Sequence, residues 1–378
     1  MNKPAVILAV FLIFFGAGSH AQARQPWWYT LEQGKHYFRS GSYGNALMAF
    51  EIARRTREER FTRMEEDFIM LLSMPEVRRL GDSLEQIEFF ISDYHRTEAA
   101  AALAELFYRI PRQSLNGSAL KALNEFDRLK AYPEAEYWLG ETYRVEGELG
   151  LALKQYKKAY DARELLETPG FETEILYKMA TLHRLKGEYQ EMEKRLLEIL
   201  AAKSAAVSGR QGIYWTREGE GAVVPMQRIL ENDGVSHFLT LYRNDNAQIE
   251  KAHRLLGIFY YTSNRHGSAA EQLMFAFLIQ NTLLINEVRR MQYNFEFTTL
   301  ENLMEALHRR NDLKDWMEET QYYRTAYYFA AALYASGKMI SARQIWFFLA
   351  ALNEAGEWQE KARNQLRSPF IERMVEMP

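Results

Sequence analysis

The sequence predicts an all-α protein made of helical hairpins that stack on one another. In one stretch, residues 138–160, small and aromatic residues recur at the three- and four-residue offsets of a helix on both sides of a glycine-containing break. The same pattern returns at four other places along the 378 residues. The composition agrees, since 47% of the residues are hydrophobic, only 21 are glycine and 9 proline, and none is cysteine. The chain therefore has enough apolar material for a sizeable core and cannot form disulfides.

The first 23 residues have the features of a secretory signal peptide. Lys3 supplies a positive charge, residues 5–15 form an apolar core, and Ala21 and Ala23 form a small-x-small cleavage site. An uncleaved membrane anchor is the alternative, but this apolar core is shorter than the roughly 20 residues that a spanning helix needs. We therefore expect cleavage before Arg24, no stable membrane span after cleavage, and an exported protein that is periplasmic or secreted.

The first hairpin is predicted for residues 27–55. Gly34 lies on the inner face of its first helix, Gly41 marks the turn, and Ala46 and Phe50 lie on the inner face of its second helix. The alternation of small and large residues is typical of two helices that interlock at short distance.

Residues 61–129 continue the helical pattern in a weaker form. We interpret them as two degenerate hairpins, residues 61–72 with 75–94 and residues 97–108 with 118–129, which the 106 residues between Gly34 and Gly140 can accommodate. The arginines between residues 54 and 63 alternate with glutamates, which predicts ion pairs on a solvated helix face rather than a binding patch.

The clearest hairpin is that of residues 138–160. Leu139 and Gly140 share one face of the first helix, Gly147 ends that helix, and Tyr156 lies on the inner face of the second. Glycine lowers helix stability by roughly 1 kcal/mol relative to alanine. Its presence at residue 140 therefore predicts a neighbouring helix that comes too close for a Cβ atom.

A third hairpin is centred on Ala180 and is followed by an interruption. His183 lies on its apolar face, where a hydrogen-bonded core histidine is the simpler interpretation than a metal ligand. Residues 204–225 then depart from the repeat, and the glycine-rich part at 209–224 predicts a β-hairpin or an ordered loop. Because insertions in repeat arrays often serve binding, Trp215 is a candidate partner-binding residue.

Two further hairpins and a terminal helix complete the array. Gly257 and Leu273 mark the fourth hairpin, and Ala330 and Trp346 mark the fifth. Residues 357–367 form a polar helix, which is what the exposed end of a repeat array requires as a cap.

The recurring pattern resembles the tetratricopeptide repeat, with L-G-x2-Y on a first helix, a turn, and A-x3-F on a second. The resemblance covers most of residues 24–378 and implies a right-handed superhelical solenoid of antiparallel helix pairs. It also implies that the first helices line a concave groove that binds peptides or protein segments. Applied copy by copy, it assigns the following residues to the groove: Lys35, Phe38, Tyr137, Arg144, Tyr177, Arg184, Arg254, Tyr261, Tyr327 and Tyr334.

Tyrosine and arginine dominate this set, and both are enriched at the binding hot spots of protein interfaces. The alternative is that tyrosine is simply abundant, at 22 of 378 residues. The chain has 47 Lys and Arg against 50 Asp and Glu, a net charge of −3, which argues against a general nucleic-acid binder.

No catalytic, metal-binding or cofactor-binding motif such as HExxH, G-x-S-x-G or a P-loop occurs. The sequence therefore predicts a non-catalytic periplasmic scaffold or adaptor that binds a protein or peptide of the cell envelope, without a metal or cofactor. Two alternatives remain: a small-molecule-binding helical protein that assists a TRAP-type transporter, and the helical superstructure of a cell-wall-processing complex. The sequence leaves the oligomeric state open.

Overall fold

The computed structural model describes residues 25–73, 128–207, 232, 234, 236–240, 244–307 and 310–373. Within these ranges every regular element is a helix, which confirms the all-α class. The chain divides into two compact units, residues 1–182 (unit 1) and 183–378 (unit 2). The predicted signal peptide, most of the predicted degenerate hairpins, the β-hairpin or loop at 209–224 and Trp215 lie outside the described residues.

Unit 1 is built from consecutive helices that pack on one another, α1 on α2, α2 on α3 and α3 on α4. The helices are α1 (Trp27–Arg39), α2 (Tyr43–Ser73), α3 (Pro133–Val145), α4 (Leu149–Asp161) and α5 (Phe171–Leu185), which crosses the boundary between the units. Residues 61–72, predicted as a separate helix, continue α2 without a break. No glycine or proline lies between residues 45 and 73, so nothing in this stretch ends the helix.

Glycine sets the distance between the paired helices of unit 1. A Cβ atom on Gly140 would lie 2.8 Å from Cδ1 of the Tyr156 ring, closer than real side chains approach. Gly34 faces Phe50 in the same way, and both aromatic side chains are fully buried. The interpretation that Gly140 admits a close neighbouring helix is thus confirmed.

The arginine-rich surface of α2 is only partly solvated. Arg55 is exposed and lies 3.3 Å from Glu59, as expected for a surface i,i+4 pair. Arg57 is buried instead, donates a hydrogen bond to the carbonyl of Arg128, and has its guanidinium carbon 4.3 Å from the centre of the Tyr132 ring. The prediction of a solvated face is therefore wrong for Arg57, whose planar group stacks on an aromatic ring of another segment.

Unit 2 is organised around a long apolar helix that packs against the helix before it and a later one. Its helices after α5 are α6 (Tyr189–Val207), α7 (Ala247–Thr262), α8 (His266–Met291), α9 (Leu300–Leu307), α10 (Asn311–Glu319), α11 (Tyr322–Ala335), α12 (Met339–Ala351) and α13 (Glu357–Arg367). Among the described residues, α8 alone is long and apolar enough to cross a membrane, and 78% of that apolar window is buried inside the protein. Such burial is typical of a core helix.

The predicted turns share one backbone motif. At the end of α3, Gly147 has a φ of +84°, its N–H donates to the Arg144 carbonyl at 3.2 Å, and the Glu148 N–H donates to the Tyr143 carbonyl at 2.9 Å. These two bonds form the Schellman motif that closes a helix with a left-handed residue. The same pair of bonds recurs at Gly41, Gly187, Asn264 and Gly337.

One spacing recurs in all five predicted hairpins. A small residue in the first helix is followed seven positions later by the left-handed turn residue and 16 positions later by a large side chain. The five large side chains are all fully buried. The pairs are Gly34 and Phe50, Gly140 and Tyr156, Ala180 and Leu196, Gly257 and Leu273, and Ala330 and Trp346.

Candidate functional site

Three of the predicted groove residues come together in unit 2 around an extended segment of the same chain. Tyr261 lies on α7, and Tyr327 and Tyr334 lie on α11. Together with Tyr328 they form what we call the tyrosine site. It holds residues 368–373, the tail segment, which follows α13 and has no regular secondary structure.

A carboxylate of the tail segment binds directly to two tyrosine hydroxyls. Tyr327 donates to Oε1 of Glu372 at 2.6 Å, and Tyr328 donates to Oε2 of the same residue at 3.0 Å. Tyr327 also accepts a hydrogen bond from Nε2 of Gln365 at 3.0 Å, so its hydroxyl serves as both donor and acceptor. Hydrogen bonds to an ionised carboxylate are stronger than those between neutral groups.

The remaining contacts hold the backbone of the tail segment. The N–H of Glu372 donates to the Tyr261 hydroxyl at 3.2 Å, and the Tyr334 hydroxyl donates to the carbonyl of Pro369 at 3.4 Å. The Gln365 amide binds Phe370 twice: it accepts from its N–H at 2.9 Å and donates to its carbonyl at 3.1 Å. These four bonds do not depend on which side chains the segment carries.

Aromatic neighbours pack against the rings of the tyrosine site. The Trp358 ring lies 5.5 Å from the Tyr327 ring and 5.9 Å from the Tyr328 ring, centre to centre. The Tyr261 ring lies 5.5 Å from that of Tyr328. Lys361 places its ammonium group 4.2 Å from the centre of the Trp358 ring, which brings positive charge to the edge of the site.

The tyrosine hydroxyls remain protonated at neutral pH. Burial, together with the Glu372 carboxylate, raises the pKa of Tyr327 and Tyr328 well above the ordinary tyrosine value. Burial raises the pKa of Tyr261 to about 12. These groups therefore act as hydrogen-bonding groups and not as bases.

The local sequence explains why the chain becomes extended after α13. Pro369 has no N–H to continue the helix and disfavours helical geometry at Ser368, whose N–H makes the last bond of the helix, 3.0 Å to Asn364. Beyond it, Phe370 and Ile371 point outward and are 50% and 43% exposed, while Glu372 points inward to the tyrosines.

In unit 1, three other predicted groove residues gather near Trp138, and a fourth, Arg144, lies on the same helix. The rings of Phe38 and Tyr137 lie 5.4 and 5.5 Å from the Trp138 ring, and the ammonium group of Lys35 lies 5.8 Å from its centre. Tyr137 is buried with only 6% of its surface exposed, whereas Lys35 and Arg144 are partly exposed. This cluster is mainly a packing contact between α1 and α3, with the Lys35 cation at its edge.

The cation of Arg144 is engaged by a buried carboxylate. Glu141 lies 2.9 Å from Nη2 of Arg144 and 3.1 Å from Nζ of Lys178, and it accepts a hydrogen bond from Tyr156. Burial alone would raise the pKa of Glu141, but the bonds from Arg144 and Tyr156 and the charge of Lys178 hold it below its ordinary value. Arg144 is therefore partly exposed and at the same time pairs with a buried carboxylate.

The remaining predicted groove residues in the described part of the chain lie on α5 and α7. Tyr177 is buried and Arg184 is half-buried, both on α5. Arg254 is also buried, and its guanidinium group bonds Glu250 at 3.0 Å and Gln321 at 3.1 Å. His183 is a satisfied core histidine, as expected, with Nδ1 2.7 Å from a carboxylate oxygen of Glu188.

Sequence reasoning missed Tyr328 of the tyrosine site, Gln365, which bonds both the site and the tail segment, and Glu372 of the tail segment. Tyr328 is adjacent in sequence to the assigned Tyr327, and this adjacency is a local signal that both hydroxyls could bind one ligand. Gln365 is fully buried in a helix whose polar composition predicts an exposed cap. Glu372 carries no local signal, because its partners lie 44, 45 and 111 positions away in the chain.

Two other features bear on what the described residues can bind. A cleft of about 600 Å³ beside α12 is lined mainly by apolar side chains, among them Leu300, Ile340 and Phe347, and includes no predicted groove residue. In the described part of the chain, no group of three or more His, Cys, Asp or Glu residues is placed to hold a metal ion.

No family model matches the chain. An uncharacterized protein of Treponema pallidum is 24% identical over 341 residues, which are 90% of this chain and 89% of that protein. An uncharacterized protein of Borreliella burgdorferi is 22% identical over 220 residues, 55% of this chain and 68% of that protein. The crystal structure of BtubC (BKLC) from P. vanneervenii matches with a TM-score of 0.31 and 14% identity over 88% of this chain and 96% of that one, a likeness too weak to interpret.

Proposed function

We propose that the protein is a non-catalytic, tetratricopeptide-repeat-like scaffold of the cell envelope that binds an extended protein segment in the tyrosine site. The observation that carries the proposal is the way in which this site holds residues 368–373. Four bonds hold the backbone, and two hold a single carboxylate. In many peptide-recognising proteins, hydrogen bonds to the peptide main chain likewise give affinity, and a pocket for a side chain gives specificity.

The repeat-like solenoid within this proposal is supported by the recurrent spacing. Five small residues, five left-handed turns and five buried large side chains follow the same offsets of seven and 16 positions. Stacked hairpins of this kind bury a continuous core and present their first helices on one face. The signal peptide predicted for residues 1–23 supports the envelope location.

A role of the site in recognition is supported by the protonation state of its tyrosines. A general base must accept a proton near neutral pH, and Tyr327 and Tyr328 have pKa values shifted upward, so they are neutral donors there. Their geometry serves the recognition of a carboxylate.

Photo-cross-linking in the native envelope tests the proposal. Replacing Tyr334 with p-benzoylphenylalanine places a reactive ketone at the edge of the tyrosine site. We expect it to cross-link a recurrent segment of one envelope protein, identified by peptide mapping. The same replacement at Tyr293, which is 96% exposed in unit 2 and takes no part in the site, is the matched control. Identical products from both positions, or products containing only the chain's own tail segment, would contradict the proposal.

A further inference from the structure

We propose that the tail segment is a built-in, exchangeable occupant of the tyrosine site, which an acidic extended segment of a partner protein displaces. This inference rests on the function proposed above and adds the chemistry of the ligand and the way in which access to the site is controlled.

The orientation of the side chains indicates that the tail segment is held as a ligand. Phe370 and Ile371 are about half exposed, whereas the charged Glu372 points inward. A segment that packed only to bury apolar surface would adopt the opposite orientation. Hydrogen bonds hold it instead, and because water replaces them on release, each contributes only a small part of its strength to the net free energy of docking. The segment can therefore leave the site at modest cost.

The tyrosine site also specifies what can take the place of the tail segment. Tyr327 and Gln365 are fully buried while the segment is bound, and a ligand that leaves a buried donor without an acceptor binds weakly. A replacement ligand must bring a carboxylate for the two hydroxyls and backbone groups for Gln365, Tyr261 and Tyr334. An acidic residue within an extended peptide provides both.

The charges at the edge of the site favour the same ligand. The guanidinium carbon of Arg324 lies 5.8 Å from the centre of the Tyr328 ring, and the ammonium group of Lys361 lies 4.2 Å from that of Trp358. Positive charge beside a carboxylate site attracts acidic ligands and disfavours basic ones.

Covalent attachment gives the tail segment an advantage over free peptides. It follows α13 directly, and a short tether corresponds to an effective concentration in the millimolar range. A free peptide with the same contacts therefore competes poorly with the attached tail segment, unless the binding of that segment is itself weakened. A natural partner must add contacts outside the site, and the exposed Phe370 and Ile371 show that the docked segment leaves apolar surface open beside it.

A peptide-exchange experiment on the full chain tests the inference. The probe is a fluorescent, end-blocked peptide with the sequence of residues 368–373, SPFIER, titrated by anisotropy into three proteins. Because Glu372→Gln weakens the hold on the tail segment, we expect this variant to bind the probe about 10-fold more tightly than wild type. Phe370→Ala changes an outward side chain in the same segment and should bind the probe as wild type does.

The ligand class is tested with modified probes. A probe with glutamine in place of its glutamate should lose binding to the Glu372→Gln protein, and adding Tyr328→Phe to that protein should weaken binding of the unmodified probe. Millimolar N-acetylglutamate amide should not displace the probe; displacement would show a site for free carboxylates and not for peptides. Thermal melting establishes that each variant is folded.

Equal binding of the probe to wild type and Glu372→Gln, or equal binding of the glutamate and glutamine probes, would overturn the inference. It can fail separately from the proposed function. If cross-linking at Tyr334 captures an envelope protein but the probe does not distinguish the variants, the scaffold function stands and the exchangeable tail is rejected. If exchange occurs and only the tail segment is cross-linked, the partner is rejected instead.

Discussion

At the scale of single residues, Gly140 shows how the absence of a methyl group determines the packing of two helices. A Cβ atom there would overlap the Tyr156 ring at 2.8 Å. We expect Gly140→Leu to lower the free energy of unfolding by about 1–3 kcal/mol, because added volume in a packed interface forces the helices apart. Urea denaturation measures this change.

Gly150 provides the matched control. It lies in the same helical hairpin, within α4, and has open space where its Cβ would be. Gly150→Leu should leave stability unchanged or raise it slightly through helix propensity. Equal denaturation midpoints for Gly140→Leu and Gly150→Leu would rule out the close approach that we describe.

Glu141 makes the stability of unit 1 depend on pH in the acidic range. Its pKa in the folded protein lies below the ordinary value of 4.5, so folding favours the charged form. This contribution is complete above pH 4.5 and is lost as the pH falls through the folded-state pKa. We expect the free energy of unfolding to decrease over this acidic range and the decrease to be smaller in Glu141→Gln, as measured by denaturation at a series of pH values. An unchanged pH profile in the variant would show that the carboxylate is not stabilised as described.

At the scale of elements, the left-handed turn residue ends each first helix. Four of the five turns use glycine, and Asn264, with a φ of +58°, takes that place between α7 and α8. An L-residue in this conformation costs roughly 1–2 kcal/mol. Gly147→Ala should therefore lower the free energy of unfolding by about that amount, while Asn264→Gly should maintain or raise it. Thermal melting of the two variants compares them directly. A more stable Gly147→Ala protein together with a less stable Asn264→Gly protein would mean that turn strain does not control stability here.

The periodic part of the fold could be predicted from sequence, because helix faces and turns depend on residues close in the chain. The five spacings and the polar helix at 357–367 illustrate this. Where long-range contacts decide, the local pattern is insufficient: Arg57, predicted on a solvated face, is drawn into the interior by Tyr132. Tyr137 packs in a core, and its assignment to a groove stays a prediction. In the site, Tyr261, Tyr327 and Tyr334 could be assigned from repeat position, but Glu372 could not, since its contacts cross up to 111 positions of the chain.

At the scale of the whole molecule, the proposed export determines where the mature chain begins. We expect expression in a bacterium with a secretion system to yield a product whose N-terminal residue is Arg24, because Ala21 and Ala23 fit the small pockets of signal peptidase. Intact-mass spectrometry of the periplasmic fraction measures this directly. Ala23→Tyr should retain the full-length chain, and a wild-type protein that keeps residues 1–23 would reject the cleavage.

The bonded backbone of the tail segment has a consequence for proteolysis. A protease binds its substrate as an extended strand and needs the same N–H and C=O groups that Gln365, Tyr261 and Tyr334 occupy around Pro369, Phe370 and Glu372. While the segment is docked, cleavage of the peptide bonds after the neighbouring Arg367 and Arg373 is hindered. Release of the segment makes these two peptide bonds accessible to the protease. A cut after Arg367 would remove the segment permanently, and the tyrosine site would then stay open because its reversible occupant is lost.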